Sequence, residues 1–203
     1  MSIFGKLFGI SKKKSSDAPA ENRGVHMPEL DLPIDEKFTI YFKKNGGKFI
    51  YCDSDDEVSS ALQNIVEEND WRDNSFFSLD DRLEKKFANE HISFSKSAKK
   101  STVFFTTCEH LIAQNGSILI SSNQLKERKM NELPENFIVY ATTSQLTASL
   151  GDGLKSIKKK YQGSIPANIT TIKHFQSNIK EEDDFLSYGS TAKNLYLILM
   201  EDL

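Results

Sequence analysis

The stretch KFIYCDSDDEVSSALQNIVEE, Lys48 to Glu68, decides the fold class. Lys48 to Cys52 is a short run with strand propensity. Ser54-Asp55-Asp56-Glu57 follows with the spacing of a capping box, a hydroxyl and then a carboxylate three residues on. Val58, Leu62, Ile65 and Val66 then recur at helical spacing, so one apolar face continues from the cap. A strand feeding directly into an amphipathic helix is the opening unit of an α/β domain.

On the N-terminal side, LPIDEKFTIYFKKNGG supports two readings. Alternating Phe38, Ile40 and Phe42 before Asn45-Gly46-Gly47 spells a hairpin arm. Ile34, Phe38, Tyr41 and Phe42 also form a helical stripe, with Asp35 and Glu36 in its first turn and Lys43 and Lys44 in its last, as the helix dipole favours. The helix is the reading adopted, ending at the glycines.

On the C-terminal side, a short helix is expected over Leu79 to Asn89, from Leu79, Leu83 and Phe87 at intervals of four, with Ser78 as its cap. Ser101 to Thr107, Ser117 to Ser121, Phe137 to Ala141 and Leu195 to Met200 read as buried strands of a parallel or mixed sheet. A longer helix is expected from Thr143 to Tyr161, capped by Thr142 with Gln145 three on, and turning Leu146, Leu150, Leu154, Ile157 and Tyr161 toward the sheet. Its lysine run, Lys158 to Lys160, complements the helix C-terminus.

Composition excludes several classes. The chain has 203 residues, enough for one domain and an extension. No apolar run approaches the roughly 20 residues of a membrane-spanning helix. A net charge of -3 gives no general attraction to a phosphate backbone, so nucleic acid is not an expected partner. Two cysteines, Cys52 and Cys108, make neither a disulfide scaffold nor a cluster site, which points to a reducing cytoplasm. Residues 1–31 read as a flexible extension before a domain at 32–203. Within that extension Ile3, Phe4, Leu7, Phe8 and Ile10, followed by Lys12 to Lys14, suit weak contact with an anionic membrane surface through residues 1–16.

The chemistry-bearing residues are sparse. Cys108-Glu109-His110 places a thiol near an imidazole, but neighbours on one chain seldom aim at each other, so it is not read as a nucleophile pair. His26, His91 and His174 lack metal-ligand spacing, and no metal site is expected. Neither a dinucleotide fingerprint nor a P-loop occurs. Gly46-Gly47 and Gly151-Asp152-Gly153 read as turn or packing glycines.

From Leu111 onward the pattern changes. Ile112-Ala113-Gln114-Asn115-Gly116-Ser117 precedes a strand, Arg128 lies six residues ahead of Pro134, Ser144-Gln145 follows the next strand, and Gly189 precedes the last one. Together these resemble the lactate-utilization domain family, LUD, whose pattern has an Ile-Ala-Glu-Thr-Gly-Thr turn in the first position. The resemblance covers roughly Asp35 to the C-terminus. It implies a three-layer open α/β sheet of the NagB/RpiA/CoA-transferase-like type, with ligands collecting at the carboxyl ends of the strands. It also implies association with iron-sulfur subunits that oxidise L-lactate to pyruvate.

The departures matter as much. Related CoA-transferases carry a nucleophilic glutamate where this chain has Gln114, and an amide cannot form the mixed anhydride. Asn178 and Lys180 replace two family acids, and Tyr188, Gly189 and Ser190 stand near the expected His-Gly-Pro. The expected ligand-binding set is therefore Gln114, Asn115, Gly116, Ser117, Arg128, Gly189 and Ser190, with no catalytic residue named. No cofactor is evident, and the ligands considered are a small organic acid, CoA or a nucleotide. Three functions follow: an accessory or small-molecule-binding protein of lactate or organic-acid utilization without its own redox centre, a transferase or ligase acting on a CoA- or nucleotide-linked carboxylate, and a membrane-peripheral interaction protein.

Overall fold

The computed structural model describes residues 32–175 and 193–202. The N-terminal head and the positions Asn178, Lys180, Tyr188, Gly189 and Ser190 lie outside the described residues. Two sheets organise the rest. A six-stranded parallel sheet runs in the order β1-β10-β7-β4-β2-β3, formed by β1 (Lys48–Cys52), β2 (Ser75–Phe77), β3 (Ser93–Ser95), β4 (Val103–Thr106), β7 (Asn136–Thr142) and β10 (Asn194–Met200). A four-stranded sheet runs β8-β5-β6-β9, formed by β5 (His110–Ile112), β6 (Ser117–Ile120), β8 (Leu146–Thr147) and β9 (Thr170–Ile172).

The central strands β10 and β7 are apolar along almost their whole length because both faces of the sheet are covered. One face carries Ile138 and Ile198 and packs under α2 (Asp55–Glu68) and α3 (Asp81–Lys86), against Val58, Leu62, Ile65 and Leu83. Phe104 and Phe137 point to the opposite face by the strand alternation, with ring centroids 5.0 Å apart. That face lies toward α1 (Ile34–Lys44) and the smaller sheet, and α5 (Leu150–Lys160) covers the smaller sheet from outside through Ile157. The result is the expected three-layer α/β architecture.

α1 settles the ambiguous opening in favour of the helix. Phe38 and Phe42 are buried and stacked 5.3 Å apart, and Gly46 at φ +87° turns the chain into β1. The Ser54 box forms nearly as read: Ser54 Oγ accepts the Glu57 amide at 3.3 Å. The Glu57 carboxylate reaches one residue further back, to the Asp53 amide at 3.0 Å.

Three expectations need correction. α3 is shorter than Leu79 to Asn89 and is capped by Asp80, whose carboxylate accepts the Arg82 amide at 3.0 Å; Ser78 Oγ instead accepts the Asp80 amide. The Ser117 to Ser121 run joins the smaller sheet, antiparallel to β5, and not the large one. The helix expected from Thr143 begins only at Leu150, under a Ser149 cap. Thr142 and Gln145 cap a single 3-10 turn, after which Leu146 and Thr147 pair with Leu111 and Ile112 as β8. The inward face also differs from the expected one. Gly153 and Ile157 face the smaller sheet, while Leu150 and Leu154 are 39% and 40% exposed. Gly153 fits closely there: a β-carbon would come within 3.2 Å of the Ile112 side chain and 3.3 Å of the Leu119 side chain, which would have to shift by a few tenths of an ångström.

Candidate functional site

The Gln114 to Ser117 turn closes the hairpin between β5 and β6. The Gly116 amide donates to the Ile112 carbonyl at 2.9 Å, and Asn115 Oδ1 accepts from the Ser117 amide at 3.2 Å and from Ser117 Oγ at 2.7 Å. Asn45, just past α1, donates to the Asn115 and Gly116 carbonyls at 2.7 and 3.3 Å. Gly116 is buried, and the space where its β-carbon would stand is occupied by the backbone of Tyr41 and Phe42. The close approach this glycine permits is thus made by α1. Gln114 is the exposed member of the turn, its amide tied to the Ala148 carbonyl.

Arg128 occupies a different setting. Its guanidinium lies 5.1 Å from the centre of the Phe77 ring, at the carboxyl end of β2, and the residue is half-buried. Among the described residues no acceptor bonds this guanidinium and no carboxylate pairs with it. Arg82, by contrast, is paired with Asp80 through both Nε and Nη2, at 3.2 and 3.1 Å. Ligands of open α/β sheets bind outside the carboxyl ends of strands, which is where Arg128 stands.

Glu109 stands in the sequence only as the middle of Cys108-Glu109-His110, with no local motif to mark it. Only 2% exposed, it accepts hydrogen bonds from Ser121 Oγ at 2.7 Å, Asn123 Nδ2 at 2.8 Å and Tyr161 OH at 3.0 Å, with Lys160 Nζ at 3.8 Å. Burial alone raises its pKa; the three hydrogen bonds and the Lys160 charge outweigh that and hold the carboxyl below the ordinary carboxylate value. Glu109 therefore ties together β5, the end of α5 and the segment that opens α4 (Ser122–Leu125). A capping box was legible at Ser121 to Gln124, but the buried acid that Ser121 also serves lies 12 residues earlier in the chain, outside any local motif.

Its neighbours are equally constrained. Gln145 Nε2 donates to the Cys108 carbonyl at 2.6 Å and the Glu109 carbonyl at 3.3 Å, and its Oε1 accepts the Thr142 amide at 2.8 Å. The turn bearing Gln145 is held in place by Asp202, which accepts from Thr143 Oγ1 at 2.9 Å, the Ser144 amide at 2.8 Å and Ser144 Oγ at 2.7 Å. Both cysteines are buried and unpaired. Burial, aided by Glu57 and Asp53, pushes the Cys52 thiol up to about 12, and burial with the Glu109 charge raises Cys108 as well. Thiolate is the reactive form. Ellman's reagent is therefore expected to leave both thiols unmodified in the folded protein and to titrate both after denaturation; rapid labelling of native Cys108 would contradict its placement.

Comparison with known proteins agrees with this architecture. No curated protein matches the chain in sequence. A crystal structure of a DUF162 family protein from Deinococcus radiodurans superposes with a TM-score of 0.56 at 10% identity, covering 83% of this chain and 96% of that one, and so shares the fold. The LUD domain model matches residues 36–200, well over half of the chain, and the protein belongs to the LUD domain family.

Proposed function

We propose that this LUD domain protein binds a small anionic ligand at Arg128 and serves lactate or related organic-acid utilization as an accessory or ligand-binding module. The observation that carries the reading is the half-buried guanidinium on the Phe77 ring at the carboxyl end of β2, which has no hydrogen-bond or carboxylate partner among the described residues. Stacking on an aromatic face fixes the plane of an arginine and leaves its donor fork free for a carboxylate or phosphate. The ligand classes that suit it are an organic acid, CoA or a nucleotide. Redox chemistry in such a pathway would come from separate iron-sulfur subunits, since two buried cysteines supply no cluster ligands of their own.

Calorimetric titration with L-lactate, pyruvate, CoA and ADP tests the proposal. One of these anions is expected to bind the wild-type chain, and Arg128→Ala to weaken it roughly 10- to 100-fold, the worth of a charge-assisted hydrogen bond or two. Arg128→Lys should restore only part of the loss, because an ammonium cannot reproduce the planar fork. Equal affinity in wild type and Arg128→Ala would remove Arg128 from the site.

A further inference from the structure

His110 opens β5 and is 8% exposed. Its Nδ1 lies 3.2 Å from the Gln145 carbonyl oxygen. A carbonyl can only accept, so the proton of a neutral ring sits on Nδ1 and the lone pair on Nε2. Burial lowers the His110 pKa, against the raising effects of the Gln145 carbonyl and the Glu109 charge, so the ring is held neutral. No hydrogen bond to Nε2 occurs among the described residues, yet no fully buried side-chain nitrogen or oxygen in them lacks a partner. Nε2 is therefore the ring nitrogen without a partner among the described residues, and it is not completely shielded from solvent.

The carbonyl that fixes this tautomer is itself well anchored. Gln145 is gripped through its side chain by the Cys108 and Glu109 carbonyls and by Thr142, and the turn before it is clasped by Asp202. The charged groups within reach of the ring are Glu109 and Lys160. A neutral imidazole, locked by a backbone carbonyl at one nitrogen and open at the other, has the arrangement of a general base or of a hydrogen-bond acceptor for a ligand.

We infer that His110 is a proton-accepting site whose Nε2 receives an O–H or N–H donor from a small ligand at the start of β5. The site stands independently of the anion anchor at Arg128, so either assignment can fail without the other.

Two measurements on the full-length chain test it. Long-range proton–nitrogen correlation spectra of uniformly labelled protein at neutral pH should show one histidine as the Nδ1–H tautomer, with its Nε2 resonance shifted to the unprotonated range. That signal should vanish in His110→Gln. Diethyl pyrocarbonate, which acylates a neutral ring nitrogen bearing an accessible lone pair, should modify His110 in the folded protein, as located by peptide mapping; this arm needs no variant and remains decisive if His110→Gln fails to fold. An Nε2–H tautomer at His110, or modification only after unfolding, would overturn the inference.

Discussion

Gly116→Ala is expected to lower stability by at least about 3 kcal/mol, the sum of a left-handed backbone cost and an overpacking cost. Gly116 has φ +66°, and an added β-carbon would fall 2.3 Å from the Phe42 nitrogen and 2.4 Å from the Tyr41 carbonyl carbon. Neither obstacle is a flexible side chain; both belong to the backbone of α1, so relief requires moving a helix. Gly163 separates the two costs. It has φ +87° with nothing within 4 Å of its would-be β-carbon, so Gly163→Ala should lose only about 1 kcal/mol. Gly116→Asn is a further control, since asparagine tolerates the left-handed region but meets the same helix backbone. Urea unfolding of the three variants provides the comparison. A Gly116→Ala protein as stable as Gly163→Ala would mean that α1 does not seat against this turn.

Removing the Glu109 carboxylate should have the next largest effect. Glu109→Ala strips an acceptor from Ser121, Asn123 and Tyr161 at a buried junction, and a loss of roughly 3 kcal/mol is expected. For a domain of this size that lowers Tm by on the order of 6 to 12 °C. Glu109→Gln is more informative because it keeps the shape and discards the charge. The folded-state pKa of Glu109 lies below its ordinary value of 4.5, so the carboxylate contributes stability that is fully present above that pH. The contribution is lost as pH falls through the folded-state pKa. The stability gap between wild type and Glu109→Gln should accordingly be constant from pH 5 to 7, as an order-of-magnitude window, and shrink in more acidic solution. A gap that stays constant into acid would show that Glu109 is not held in its charged form by these partners.

How much was legible from sequence differs element by element. The Ser54 cap with Val58, Leu62, Ile65 and Val66 predicted α2 to its first residue, because cap and stripe are local signals that burial then reinforces. β7 and β10 were equally plain, since strands covered on both faces are apolar throughout. The start of α5 was misjudged for an equally physical reason. Thr142-x-x-Gln145 and Ser149-x-x-Asp152 are both acceptable caps, and the choice fell to Leu146 and Thr147, which gain strand pairing with Leu111 and Ile112 that no local window displays. Ser78 lost its capping role to Asp80 in a similar way, because a carboxylate there also engages the Arg82 side chain.

For the candidate site the division is sharper. Residue order alone determined the α/β class, the family, the turn glycine at Gly116 and an arginine worth watching at Arg128, since each of these is written in spacing or in backbone conformation. Tertiary structure alone decided that the space beside Gly116 belongs to α1, that the Arg128 guanidinium lies against Phe77 with no carboxylate beside it among the described residues, and that Glu109 and His110 are buried next to each other with different partners. Those outcomes depend on groups far apart in the chain, Glu109 with Tyr161 and His110 with Gln145, and a hydrogen bond between distant segments leaves no periodic trace in the sequence that forms it.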